Sequence, residues 1–164
     1  MPPLHAAEER QVLEGMLEWY REGVVAKVAG AAPHVASAAP LPSATSIAGL
    51  VKHLALVEES WFVVRFAGLP EHGPWAGVDW DADPDWEFRT AVDEPLADLV
   101  ARYRLACERS RAAAAGRDLD DVGADTSRRT FTLRFAYLHL IEETARHLGQ
   151  LDVLRELLDG TTGE

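Results

Sequence analysis

The residues best suited to chemistry lie in the C-terminal third of the chain, between positions 139 and 150. His139, Glu143 and His147 follow one another at intervals of four residues. An α-helix advances about 100° per residue, so the three side chains fall within about 80° of one helical face. Glu143 and His147 have the i, i+4 spacing that lets one helix offer two ligands to one metal ion. The pattern therefore predicts a pair of metal ligands on this helix.

A third candidate ligand, His53, lies in another predicted helix. It interrupts an apolar stripe that contains Leu50 and Leu54, so it either forms a hydrogen bond in the core or points at a ligand. Two imidazoles and one carboxylate make an open metal site, with positions left for water or substrate. From spacing alone two alternatives stay open. In one, His53 is a structural core residue and not a ligand. In the other, Glu143 and His147 form only a surface pair, which stabilises the helix by about 0.2–0.5 kcal/mol.

Other polar residues have weaker signals. Arg146 and Gln150 fall on the same helical arc as the candidate ligands. Cys107 lies in an apolar stripe, which favours a buried thiol over a nucleophile. The remaining histidines stand in predicted loops or termini and are expected to be solvated: His5, His34 and His72. No zincin motif, second Glu-x-x-His helix or Gly-rich phosphate loop is present in the sequence.

Helices must position these residues, because the chain has 26 Ala and only two Ile, a usage that favours helix over sheet. Apolar residues recur with helical spacing in four stretches. These predicted helices span about residues 5–29, 43–67, 93–115 and 130–159. Pro33 follows the first, and Gly68, Gly116 and Gly160 follow the other three. The sequence thus predicts an all-α fold.

The link between the second and third predicted helices, residues 70–93, is long for antiparallel neighbours, which need only about 2–8 connecting residues. A crossover of this length predicts parallel second and third helices, and hence an up-down-down-up four-helix bundle. The link contains Trp75, Trp80 and Trp86 and seven acidic residues. We expect the acids to face water. The tryptophans should pack on the bundle near the candidate site, or alternatively form a homodimer interface.

Size and charge narrow the function classes. The 164 residues suit one domain, 1–164, and a net charge of −11 argues against nucleic acid and anionic membranes as partners. One cysteine excludes an internal disulfide framework. No apolar run approaches 18 residues, and the N-terminus lacks the pattern of a signal peptide. These features predict a cytoplasmic protein.

Two motifs resemble those of the DinB/YfiT-like superfamily. The run Ser-Ile-Ala-Gly-Leu-Val-Lys-His-Leu, residues 46–54, is similar to its first metal-ligand segment. The run from Glu143 to Gln150 is similar to its second, whose common pattern is His-x-x-x-His-x-x-Gln. The ending at residues 151–160 is typical of an actinobacterial branch. The resemblance extends over nearly the whole chain.

This resemblance implies one divalent metal held by His53, Glu143 and His147 in an up-down-down-up bundle. Glu143 stands where many members have His. The resulting His/Glu/His set is similar to that of mycothiol-dependent maleylpyruvate isomerase. Zinc is the first expectation, with manganese, nickel and iron as alternatives. A low-molecular-weight thiol, mycothiol above others, is the implied co-substrate of a transferase or isomerase. His139 is then the candidate for proton transfer, and Arg146 and Gln150 are candidates for binding the thiol or substrate.

A second hypothesis assigns the chain no turnover. In it, the protein is a metal-stabilised helical module that binds small molecules or takes part in a stress response. An accessible ion with an exchangeable water favours the enzyme, and a closed, fully protein-ligated ion favours the module. Fold alone does not decide between them.

Overall fold

The computed structural model describes residues 5–127 and 129–163, and every regular element in these ranges is helical. The elements are α1 (Glu9–Val28), α2 (Pro33–Ser37), α3 (Ile47–Glu58), a π-helical segment (Glu59–Phe66), α4 (Trp86–Ala91), α5 (Leu96–Ala114) and α6 (Leu133–Asp159). Extended pairing in the described residues is limited to an isolated bridge between Val122 and Thr132. The all-α prediction is confirmed. α2 and α4 are short additions in stretches that the sequence predicts as loop.

The two helices that carry the candidate ligands, α3 and α6, begin at residues that suit that position. The Ser46 hydroxyl accepts a hydrogen bond from the Gly49 amide at the start of α3, at 3.0 Å. Thr132 accepts one from the Phe135 amide at the start of α6. Such side chains satisfy amides that have no partner within the helix. Gly160 ends α6 with a φ of 75°, a left-handed conformation that favours glycine.

Ion pairs relate α3 to α5 and α1 to α6. Lys52 of α3 pairs with Glu94, just before α5, at 2.6 Å. Glu59, the first residue of the π-helical segment that continues α3, pairs with Arg109 of α5 at 3.0 Å, so residue numbers rise together along these two stretches. Residue numbers also rise together along α1 and α6. Glu9 pairs with Arg134 and Lys27 pairs with Asp152, both at 2.7 Å. Residue numbers thus rise together within each of these two pairs of helices.

The buried apolar residues of these four helices and of the π-helical segment form the core. They include Leu17, Val24, Leu50, Leu54, Phe62, Phe66, Leu99, Leu133, Leu140, Leu151 and Leu154. Cys107 is among the buried residues, as predicted. None of the described helices is both long enough and apolar enough to span a membrane.

The π-helical segment changes which residues of the second predicted helix face inward. A π-helix closes i to i+5 hydrogen bonds and so adds a residue to the turn. Phe62 and Phe66 are buried there, whereas Trp61 and Val64, which an α-helical continuation of the stripe of Leu50 and Leu54 would place inward, are half-buried. At the start of this segment the Glu58 carboxylate accepts two hydrogen bonds from the Arg21 guanidinium, at 2.7 and 2.6 Å. This buried ion pair joins α3 to α1.

The crossover packs on the bundle as predicted for its tryptophans. Trp75 is 2% exposed, and Trp80 and Trp86 are partly buried against the core. The prediction that the acidic residues of the crossover face water is wrong for Glu87, which is 6% exposed. Glu87 lies on α4, whose inner side contacts α3, so its carboxylate has a protein partner instead of water.

Candidate metal centre

The structure brings His53, Glu143 and His147 together. One ligand atom from each residue lies within 4.8 Å of the other two. His147 Nε2 is 3.1 Å from Glu143 Oε2, and the two imidazole rings meet edge to face with centroids 4.9 Å apart. α3 supplies one of these residues and α6 supplies two, one helical turn apart. All three side chains are half-buried.

Gln150 orients His147. Its Oε1 lies 2.7 Å from His147 Nδ1, and an amide oxygen accepts a hydrogen bond from a ring N–H. This contact turns the other ring nitrogen, His147 Nε2, toward Glu143 Oε2, at the point where the three side chains meet. Gln150 was predicted to bind a cofactor; in the structure it contacts a candidate ligand directly.

Burial disfavours the protonated form of His147. Loss of hydration lowers the pKa of His147 below its usual value, and the nearby His53 and Arg146 act in the same direction. The hydrogen bond to Gln150 and the Glu143 carboxylate oppose the shift without cancelling it. Only a neutral imidazole can donate its lone pair to a metal, so this environment suits a ligand.

His53 has a carboxylate partner that sequence reasoning missed. Its Nδ1 lies 3.1 Å from Glu87 Oε1, and the Phe88 ring stacks against the imidazole with centroids 5.5 Å apart. Both partners come from α4, within residues interpreted as a loop. The available signal was the run Trp-Glu-Phe-Arg-Thr, in which aromatic residues flank an acid, but nothing in it points to His53.

His139 lies beside the cluster of three. Its Nε2 is 3.9 Å from Glu143 Oε1, and it is not part of the group whose ligand atoms converge. The Trp61 ring lies 4.3 Å from the His139 ring, and the Phe135 ring stacks nearly parallel to it at 6.0 Å. With Phe131 these rings form a surface that we call the aromatic shelf, defined as Trp61, Phe131, Phe135 and His139. Phe135 is 49% exposed there.

The donor set fits a divalent ion. Zinc binds imidazole nitrogen and carboxylate oxygen at about 2.0–2.2 Å, so two tetrahedral ligands lie about 3.3–3.6 Å apart. The 3.1 Å between His147 Nε2 and Glu143 Oε2 is close to that value. Both histidines also have a partner on Nδ1, which is usual for ligating imidazoles. The three side chains leave further coordination positions to water or substrate.

The family is decided by a comparison with protein-family models. The model described as mycothiol-S-transferase matches residues 12–160, which include both ligand-bearing helices and the crossover. The chain belongs to the mycothiol-S-transferase family. This match confirms the resemblance drawn from the two motifs. No curated protein matches the chain.

In a mycothiol-S-transferase, the state of the protein's own thiol matters, because it could compete with mycothiol as the nucleophile. Cys107 is 3% exposed. Burial, reinforced by the Glu58 carboxylate, raises the pKa of its thiol well above the usual value. A protonated, buried thiol is a poor nucleophile. Cys107 is therefore a core residue, and the family's sulfur chemistry needs a thiol from outside the chain.

Arg146 is the predicted site residue that the structure leaves apart. It is exposed and forms no hydrogen bond or ion pair with the described part of the chain. Its charge still acts on His147, one residue along α6. A free guanidinium beside the cluster suits contact with an anionic group of a substrate.

Proposed function

We propose that this protein is a divalent-metal-dependent mycothiol S-transferase that acts on small electrophiles. The observation that carries the proposal is the convergence of His53, Glu143 and His147 within 4.8 Å, in a chain of the mycothiol-S-transferase family. The buried, protonated Cys107 supports it, since the nucleophile must then come from a co-substrate.

The proposed setting is a single cytoplasmic domain, 1–164, with an up-down-down-up arrangement of four long helices. The ion pairs that link α3 to α5 and α1 to α6 support it, because residue numbers rise together in both sets. Contacts of α1 with α5 run in the opposite sense and support it too: Arg10 donates to the Ala114 carbonyl, and Glu18 pairs with Arg111. In such an arrangement α3 and α6 are antiparallel neighbours, which places the middle of both helices at the candidate centre.

His53, Glu143 and His147 would hold one divalent ion, with zinc as the first choice. When bound, such an ion acts as a Lewis acid that lowers the pKa of a coordinated thiol toward neutrality. Glu143 in place of a third histidine adds a negative charge to the ligand set. That charge favours a harder ion than three imidazoles would, so manganese, nickel and iron are alternatives for the test.

The remaining residues bind, orient and transfer a proton. His139, half-buried and 3.9 Å from Glu143, accepts the thiol proton as the sulfur forms its bond to the electrophilic carbon. The displaced electron pair leaves with the leaving group or enters the acceptor's double bond. The aromatic shelf packs against the apolar part of the electrophile. Arg146 contacts a carboxylate of the substrate.

The test uses purified protein loaded with zinc, manganese or nickel, mixed with mycothiol and a panel of electrophiles that includes monochlorobimane and maleylpyruvate. Thiol consumption should require metal and should fall to background in His53→Ala. Cys107→Ser is the matched control and should retain full activity, because its thiol takes no part. Loss of activity in Cys107→Ser, or no thiol consumption with any metal and electrophile, contradicts the proposal.

A second candidate function, small-molecule binding without turnover, has one observation in its favour. A cavity of about 910 Å³ lies between the end of α1, α2 and the start of α5. None of the three candidate metal-ligand residues lines it. Its lining is largely apolar and includes Val25, Val28, Leu96 and Val100. Tight binding of an apolar dye to metal-free protein, together with no turnover in the assay above, would favour this function.

A further inference from the structure

We propose that Glu87 is the positioning residue for His53, and that the crossover is thereby part of the metal centre. The inference rests on the proposed function, since it concerns how one proposed ligand is oriented. The Glu87 side chain is 7% exposed and the His53 side chain 22% exposed. A buried carboxylate thus approaches the candidate site from an element that carries no ligand.

The contact fixes which ring nitrogen of His53 carries the proton. An ionised carboxylate has only acceptor atoms, so His53 Nδ1, 3.1 Å from Glu87 Oε1, must be the donor. The lone pair is then on His53 Nε2, the nitrogen available to an ion held with Glu143 and His147. A carboxylate partner also makes the imidazole more basic and so a stronger ligand.

The packing of α4 holds Glu87 in this position. Lys52, next to His53 on α3, donates to Thr90 and Glu94, both at 2.6 Å, and its ammonium lies 4.0 Å from the Trp86 ring centroid. Trp86 and Thr90 are on α4, on either side of Glu87 in the sequence. These contacts tie α4 to the same turn of α3 that presents His53.

Phe88 restricts His53 from a second direction. Its ring stacks on the imidazole at an interplanar angle of 25°. Phe88 can approach α3 because position 49 has no side chain: a Cβ there would lie 2.6 Å from Phe88 Cδ1. The His53 imidazole therefore has a hydrogen bond on one edge and the Phe88 ring stacked on its face, and both partners come from α4.

The other oxygen of Glu87 points to the same role. Oε2 is buried and has no hydrogen-bond partner among the described residues. A buried carboxylate with a single hydrogen bond is unfavourable unless that bond is strong or a positive charge is near. An ion held by His53 would supply both, because it would polarise the ring and strengthen the Nδ1–H donor. Glu87 itself is outside the converging group, so it acts through His53.

The decisive experiment measures the tautomer of His53 in metal-free protein at about pH 8, by long-range ¹H–¹⁵N NMR with His53→Gln to assign the signal. Wild-type protein should show the Nδ1–H tautomer. Glu87→Leu should lose it, and Glu87→Gln, whose amide oxygen can still accept, should retain it. Zinc affinity, measured by competition with a chelator, should fall about 10- to 100-fold in Glu87→Leu and less in Glu87→Gln.

The matched control is Asp85→Asn, which removes one negative charge at an exposed position two residues away. It should change neither the tautomer nor the zinc affinity. An Nε2–H tautomer in wild-type protein overturns the proposal, as does a Glu87→Leu protein with unchanged tautomer and affinity. If Glu87→Leu does not fold, Glu87→Gln decides, and zinc affinity equal to that of Asp85→Asn overturns the proposal.

Failure of the proposed function has a different signature. If wild-type protein binds no zinc, manganese or nickel, there is no metal site, and Glu87 has no positioning role toward an ion. The tautomer is measured without metal and without mycothiol, so it tests the bond between Glu87 and His53 separately from catalysis.

Discussion

The two halves of the candidate centre are built in different ways. The α6 half is contained in one helix, where Glu143, His147 and the partner of His147, Gln150, lie within eight residues. The α3 half contributes only His53, and the partner of His53 is 34 residues away in the chain, on α4. The first half depends on helix geometry, and the second depends on how the crossover packs.

The partners also differ in kind. Gln150 is exposed and offers a neutral amide oxygen, whereas Glu87 is buried and offers a carboxylate. Hydrogen bonds to charged groups are about twice as strong as those between neutral groups. We therefore expect the α6 half to tolerate loss of its partner better than the α3 half. The two halves should be equally sensitive only when a ligand itself is removed.

The largest effect should follow from removing a ligand in either half. His53→Ala and His147→Ala should each weaken zinc binding by more than about 100-fold, because loss of an outer partner alone costs about 10- to 100-fold. Competition with a chelator gives the affinity. His34→Ala, at an exposed position on α2, is the control and should bind zinc like wild type. If either ligand variant still binds zinc at full occupancy, the substituted histidine is not a ligand and its half is not part of the site.

The same difference between the halves explains which parts of the centre could be predicted from the sequence and which could not. The α6 half could be predicted because Glu143 and His147 are four residues apart, and helix geometry alone converts that spacing into proximity. The long helices follow in the same way from apolar periodicity. Glu87 could not be predicted, since no local rule links it to His53 over 34 residues. The shift of buried positions after Glu58 was also missed, because apolar spacing does not distinguish a π-helical turn from an α-helical one.

A second prediction compares the two partners directly. Gln150→Leu should weaken zinc binding by about 10-fold, at the low end of the range for outer partners. Its loss should be smaller than that of Glu87→Leu, because the amide is neutral and solvent can replace it. Isothermal titration of both variants with zinc measures the difference. An equal or greater loss in Gln150→Leu would contradict the proposed asymmetry between the halves.

A third prediction uses one glycine from each half. Gly49→Ala on α3 should reduce zinc affinity about 3- to 10-fold, less than loss of a partner. The added Cβ would lie 2.6 Å from Phe88 Cδ1 and 3.3 Å from Phe88 Cα, so the Phe88 ring, and α4 with it, should shift from its place beside His53. Gly149→Ala on α6 is the matched control, because a Cβ there meets no atom within 4 Å. It should leave zinc affinity unchanged and stabilise the protein by about 0.5–1 kcal/mol.

Both glycine variants can be followed by urea denaturation alongside zinc titration, which separates stability from affinity. If Gly49→Ala binds zinc like wild type, the position of α4 does not control His53. The α3 half would then be as self-contained as the α6 half.

The smallest effect concerns the pH dependence of stability in the α6 half. Burial lowers the pKa of His147 in the folded, metal-free protein, whereas in the unfolded chain it titrates near 6.5. Between these two pKa values the unfolded chain binds a proton that the folded protein does not. The free energy of unfolding should therefore fall as pH drops below about 6.5, and the contribution of His147 should be fully present above it. Urea denaturation of metal-free wild type and His147→Gln at pH 7.5 and 5.5 measures this contribution. The loss between the two pH values should be smaller in the variant; an equal loss would show that burial does not keep this imidazole neutral.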